Sequence, residues 1–210
     1  EFKKLAAPRG IAVYPCLYGW PSKYSPIPAE LAAGIALNYW QQGADGIYLF
    51  NWFPHTQNNS ERTGVYMAKL LKQLGDPQTL RKNSPLMFAA DRGRPDRAYQ
   101  YNWLHCVLPA KLTTGEPLEF TMRVGLQLAE RGSAAAELRL AINNLQPADE
   151  LRIELNNHPL TSLDRSQPAL IVAGVSPEQT KPGVNRIKVT LTQAVGDAKR
   201  TVTATELVVR

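Results

Sequence analysis

The chain has 210 residues, 44% of them hydrophobic and 20% charged, which gives enough apolar content for packed cores and excludes a disordered polyelectrolyte. No apolar run is long enough to cross a bilayer as a helix. The net charge of +6 is spread, with seven basic against four acidic residues in 1–75 and seventeen against fourteen in 76–210, so neither nucleic acid nor membrane is an expected partner.

In chain order, Ile11 to Tyr14 is a short apolar run read as a strand, followed by a loop carrying Cys16, Tyr18, Trp20 and Tyr24. Pro28 to Gln42 reads as a helix: Pro28 and Glu30 suit a first turn, and Leu31, Ile35, Leu37 and Trp40 recur at helical spacing. Gly43 and Gly46 bracket the entry to a second apolar run, Ile47 to Phe50, too short for a helix and expected to be a buried parallel strand. Asn51, Trp52 and His55 follow where that run stops. A further helix is expected from about Glu61 to Leu74, with Gly75 as its C-cap. Parallel strands joined by a helical crossover require a larger sheet, whose open edges must be covered by something.

After a turn-rich stretch from Asp76 to Arg97 the hydrophobic period changes. Seven short strands are expected at 101–108, 118–126, 137–142, 150–155, 169–173, 186–191 and 201–209, separated by Gly, Pro, Asn and Asp. Leu151-Arg152-Ile153-Glu154-Leu155 alternates apolar and charged side chains, then meets Asn156-Asn157-His158-Pro159 as a turn. Such alternation gives a sheet with one buried and one wet face, and several in series give a sandwich. The expected division is 1–80 for the βαβα part, 81–98 for a linker and 99–210 for the β-sandwich.

The segment Tyr39-Trp40-Gln41-Gln42-Gly43-Ala44-Asp45-Gly46-Ile47-Tyr48-Leu49-Phe50-Asn51-Trp52 resembles the last helix and last strand of (β/α)8-barrel proteins of the glycoside-hydrolase type. Residues 15–20 are similar to the end of the seventh strand and its loop, and the resemblance spans about 8–80. It implies an α/β plus all-β chain: a partial TIM-barrel-like segment followed by a jelly-roll-like antiparallel β-sandwich of the kind appended to carbohydrate-active barrels. A full barrel takes about 250 residues, so the chain, which begins Glu1-Phe2-Lys3-Lys4, is expected to be a C-terminal piece. The open edges would then meet the missing N-terminal barrel or be covered by self-association. A self-sufficient small α/β layer is the alternative.

Glycoside hydrolysis needs two carboxyl groups about 5 to 10 Å apart, and in a barrel they project from the C-terminal ends of strands. Neither strand exit supplies one. Asp45 sits at a strand entry and is expected to cap the turn, while Glu30 and Glu61 sit at helix starts. What the exits offer is a sugar-contacting rim, with Trp52, Trp20 and Tyr18 as flat apolar faces and Asn51 and His55 as hydrogen-bonding groups. The same aromatic residues can instead be packing residues that close the barrel mouth. The expected ligand is carbohydrate, with no cofactor and no metal. Catalytic residues are unknown, and a non-catalytic binding or structural module is the competing reading. Cys16 and Cys106 show no metal-ligand spacing and are expected to be reduced and partly buried. An extracytoplasmic setting goes with a carbohydrate-active protein.

Overall fold

A computed structural model describes residues 2–18, 27–52, 68, 70–91, 106–132 and 135–210. The chain divides into two compact units, Glu1–Met87 with Val124–Leu126, and Phe88–Arg123 with Gln127–Arg210.

The first unit opens with α1 (Phe2–Ala6) and a 3-10 turn, Ala7–Arg9. Strand β1 (Cys16–Tyr18), helix α2 (Ala29–Gln41) and strand β2 (Tyr48–Phe50) follow. β1 and β2 pair in parallel, Cys16 opposite Tyr48, Leu17 opposite Leu49 and Tyr18 opposite Phe50, so α2 is the crossover between them. The first strand lies later than Ile11 to Tyr14. Pro15 has no N–H to give a ladder, and the backbone bonds from this stretch to 45–48 are Asp45 N–H on Val13 O and Tyr48 N–H on Pro15 O.

Helix α2 buries Ala29, Leu31, Ala32, Ala33, Gly34, Ala36 and Leu37, a face of small residues that lets neighbours approach closely. Its end is a Schellman motif: Gly43 N–H bonds Trp40 O at 2.9 Å, Ala44 N–H bonds Tyr39 O at 3.1 Å, and Gly43 takes a φ of 81°, which glycine adopts without cost. Ala68, Leu70 and Leu71 are helical, and the rest of the helix expected from Glu61 lies outside the described residues. Gly75 lies in a turn but not in the left-handed region, so it is not the expected C-cap. Within the stretch read as a linker, Asp76 instead starts α3 (Pro77–Arg81), its carboxylate accepting Gln78 N–H at 2.9 Å and the Thr79 hydroxyl.

β3 (Leu86–Ala89) is where the chain passes from the first unit to the second. The second unit is antiparallel β. Its remaining strands are β4 (Ala110–Lys111), β5 (Pro117–Val124), β6 (Ala136–Asn143), β7 (Glu150–Leu155), β8 (His158–Pro159), β9 (Leu163–Asp164), β10 (Leu170–Val175), β11 (Gly183–Gln193) and β12 (Thr201–Val209). One sheet runs β3-β12-β6-β10-β9 with β4 also on β12, and the other runs β5-β11-β7-β8. Alternate residues are buried: Leu138, Leu140 and Ile142 on β6, Ile187, Val189 and Leu191 on β11, Phe120 and Met122 on β5. Each such side chain contributes roughly 1.5–3 kcal/mol of hydrophobic free energy. The expected strand at 101–108 is described only from Cys106, and 106–108 form no strand.

Two polar devices hold the ends of this unit. Asn156 and Asn157, with φ 51° and 69°, make the two-residue turn joining β7 and β8, so His158 and Pro159 belong to a strand rather than the turn. The buried Asn185 accepts from Asn156 Nδ2 at 2.7 Å and Lys181 N–H at 3.0 Å, and donates to the carbonyls of Lys181 and Gly183. Elsewhere Asp149, 1% exposed, accepts from Arg200 Nε at 2.9 Å, Arg200 Nη2 at 2.7 Å, and the N–H groups of Gln146 and Val195, each at 2.8 Å. Arg165 donates to the carbonyls of Asp149 and Gln146 at 2.6 and 2.7 Å. Burial would push the Asp149 carboxyl up, but the Arg200 guanidinium and the two N–H groups together hold it below the usual carboxylate range.

Candidate functional site

The site is built on the parallel β1–β2 pair of the first unit. A period-2 strand sends successive side chains to opposite faces. Leu17 is buried and Leu49 partly buried on one face, whereas Cys16, Tyr18, Tyr48 and Phe50 point the other way and are exposed. Tyr48 is 57% exposed, Phe50 48% and Tyr18 41%. The expected buried strand is therefore bare on one face, because among the described residues only two strands build this sheet, and burial on both faces requires a wider wall.

At the C-terminal ends of both strands the rings of Tyr18 and Phe50 lie 5.5 Å apart at 38°, an aromatic pair geometry of the favoured tilted kind. Tyr39 of α2 donates its hydroxyl to Cys16 O at 2.9 Å, and Trp40 Nε1 donates to Leu74 O at 2.9 Å, so the crossover helix is tied to β1 and to the turn after residue 70.

The strand entry explains the Gly-Ala-Asp-Gly sequence. Asp45 accepts Val13 N–H at 2.8 Å and the Lys3 ammonium at 2.6 Å, pinning the chain before β1 to the turn before β2, a structural role through distant partners where a cap of its own turn was expected. The bond from Lys3, and then that from Val13, keeps the Asp45 carboxyl below its ordinary value. A Cβ on Gly46 would sit 2.4 Å from the Tyr14 ring. The carboxylate is thus committed to structure at the end of the strands remote from the Tyr18–Phe50 pair.

Of the residues expected to bind, Tyr18, Asn51 and Trp52 fall within the described residues, Tyr18 ending β1 and Asn51 and Trp52 following β2, while Trp20 and His55 lie outside them. Asn51 has a left-handed backbone, φ 48°. Trp52 is half-buried and its indole nitrogen is buried with no hydrogen-bond partner among the described residues. Phe50 and Tyr48 were not singled out by sequence reasoning, although their period-2 spacing is the signal that places them on one face. Glu30, Asp45 and Asp76 are the described acids of the first unit, and none stands at a strand exit.

Among the described residues no group of three His, Cys, Asp or Glu side chains could hold a metal ion. Both cysteines are free, and Cys16 is exposed rather than partly buried as expected. Burial, and then Asp91, pushes the Cys106 thiol up, away from the reactive thiolate. No described helix is long and apolar enough to cross a membrane.

No family model matches the chain, and no curated protein matches it. Among solved structures it is similar to BpGH86A, a beta-porphyranase of glycoside hydrolase family 86 from the human gut bacterium Bacteroides plebeius, with a TM-score of 0.39 and 15% identity over 60% of this chain. It is also similar to BuGH86 in complex with neoagarooctaose, with a TM-score of 0.38 and 15% identity over 60% of this chain. The chain spans 20% of the length of the first of these structures and 18% of the second.

Proposed function

We propose that this chain is the C-terminal part of a carbohydrate-active barrel protein, in which β1 and β2 are neighbouring strands of a (β/α)8 barrel and the second unit is an accessory jelly-roll-like β-sandwich. The proposed limits are 1–80 for the barrel part, 81–98 for the link and 99–210 for the sandwich. The observation that carries the reading is the bare aromatic face of a parallel β-α-β unit. On such a unit the helix covers the outer face, and the opposite face becomes the barrel interior, with its top layer at the strand exits. Tyr18 and Phe50 occupy that layer, and Asn51 and Trp52 follow it.

In this reading the exits form part of a rim for the apolar face of a sugar ring, with Trp20 and His55 as further contacts and the parent acting on an extracytoplasmic polysaccharide. The acid pair of a hydrolase would come from other strands, since the described exits carry none. Trp52→Ala in the full-length protein should lower kcat/KM for a glycan by roughly tenfold, about 1.4 kcal/mol. Unchanged kinetics in a folded variant would reject the role.

The lack of an acid at these exits favours a second reading, a parent that binds polysaccharide without cleaving it. Incubation with insoluble cellulose, xylan and agarose separates the two: retention with released reducing sugar supports the hydrolase, and retention without it supports the binder.

A further inference from the structure

Tyr48 and Phe50 alternate onto the bare face of β2, and strand periodicity would put Trp52 beside them. The exposure changes there: Tyr48 and Phe50 are exposed, whereas Trp52 is half-buried with its indole nitrogen enclosed. The residue between them, Asn51, is left-handed at φ 48°, which ends the alternation one step before the tryptophan. We infer that Asn51 is a positioning residue that acts through its backbone: by adopting the left-handed conformation it turns Trp52 out of the strand pattern and aims its indole N–H inward, while its carboxamide need not touch a ligand. Asparagine tolerates this region better than other side chains, glycine adopts it freely, and alanine or valine pays a steric cost.

A donor enclosed at a strand exit with nothing to bond is costly to leave so, and a water or a ligand hydroxyl entering the rim would satisfy it. This second step rests on the carbohydrate reading above, whereas the backbone role of Asn51 does not.

The test uses the 210-residue chain labelled with 15N-tryptophan, with the Trp52 indole signal assigned by its loss in Trp52→Phe. The Trp40 indole N–H, bonded to Leu74 O, serves as an internal control for the fold of this unit. Asn51→Gly should keep the Trp52 indole N–H protected from solvent exchange within about twofold of the wild type, whereas Asn51→Ala and Asn51→Val should speed its exchange by about tenfold or more and leave Trp40 unchanged. Protection retained in the alanine and valine variants, protection lost in the glycine variant, or Trp40 lost together with Trp52 would each overturn the inference. Retention on agarose, cellulose and xylan is then compared: Asn51→Gly should be held as the wild type is, and loss of retention with the Trp52 signal intact would assign the carboxamide to the ligand and overturn the backbone role. If the wild type is held by none of the three, the carbohydrate reading fails and the exchange result still decides the role of Asn51.

Discussion

A Cβ added at Gly125 would lie 2.4 to 2.5 Å from the backbone of Leu37 and Asn38 in α2. Backbone cannot step aside as a side chain can, so Gly125→Ala should destabilise the first unit by about 1–3 kcal/mol, read as a lowered urea midpoint. Gly46 makes an instructive contrast. The three atoms nearest its added Cβ all belong to the Tyr14 ring, which is exposed and can swing away, so Gly46→Ala should cost far less in the same assay. Asp149 yields a pH dependence. Its folded carboxyl titrates below the unfolded value of about 3.9, so its contribution is full above that value and is lost as pH falls through the lower folded one. The urea midpoint should drop on acidification toward pH 3, and Asp149→Asn should start lower at neutral pH and show a shallower drop. Asp149→Ala should be worse, losing about 3–5 kcal/mol relative to the wild type, because it leaves the buried Arg200 guanidinium with neither a counter-charge nor an acceptor oxygen.

At the level of elements, the β7–β8 hairpin depends on two consecutive left-handed residues. Asn157→Val should cost roughly 1–2 kcal/mol through the steric penalty of a branched side chain in that region, measurable in thermal unfolding, whereas Asn157→Gly should be close to neutral. The same hairpin shows how much of the fold could be read in advance. Strands with clean alternation were legible: Glu150–Leu155 and Thr201–Val209 match their expected bounds, and β5, β6, β10 and β11 differ only at their ends. The two-residue strands β4, β8 and β9 were not, because two residues carry no period and owe their pairing to a neighbour already in place. Helix α3 was hidden inside a polar stretch, although Asp76-Pro77 with Thr79 is the signature of a capped first turn. The strand before α2 was placed four to five residues too early, since Ile11 to Tyr14 is the more apolar run and hydropathy does not register that Pro15 lacks a donor. At the site, the aromatic exit of β2 was legible from composition alone. The left-handed backbone of Asn51 was not, because asparagine takes that conformation in some turns and not in others.

On the scale of the whole molecule, the two units differ in what their described residues expose. The second carries two antiparallel sheets with regular buried faces and polar ties at its turns. Among the described residues the first presents Phe2, Leu5, Ile11, Tyr14, Tyr18, Tyr48 and Phe50 to solvent, and Tyr18 and Phe50 lie side by side. The isolated chain should therefore self-associate, and replacing Tyr48 and Phe50 together by serine should shift it toward monomer in sedimentation velocity. An unchanged distribution would remove that face from the account. The Asp149 network has a further consequence, for digestion of the intact chain. Asp197-Ala198-Lys199-Arg200 looks like an easily nicked basic turn, yet the guanidinium of Arg200 is inside, 2% exposed and bonded to the carbonyls of Val195, Gly196 and Ala198. Trypsin must draw an arginine side chain into its own pocket before it can cut, so the peptide bond after Arg200 should survive limited proteolysis until the whole sheet unit has come apart.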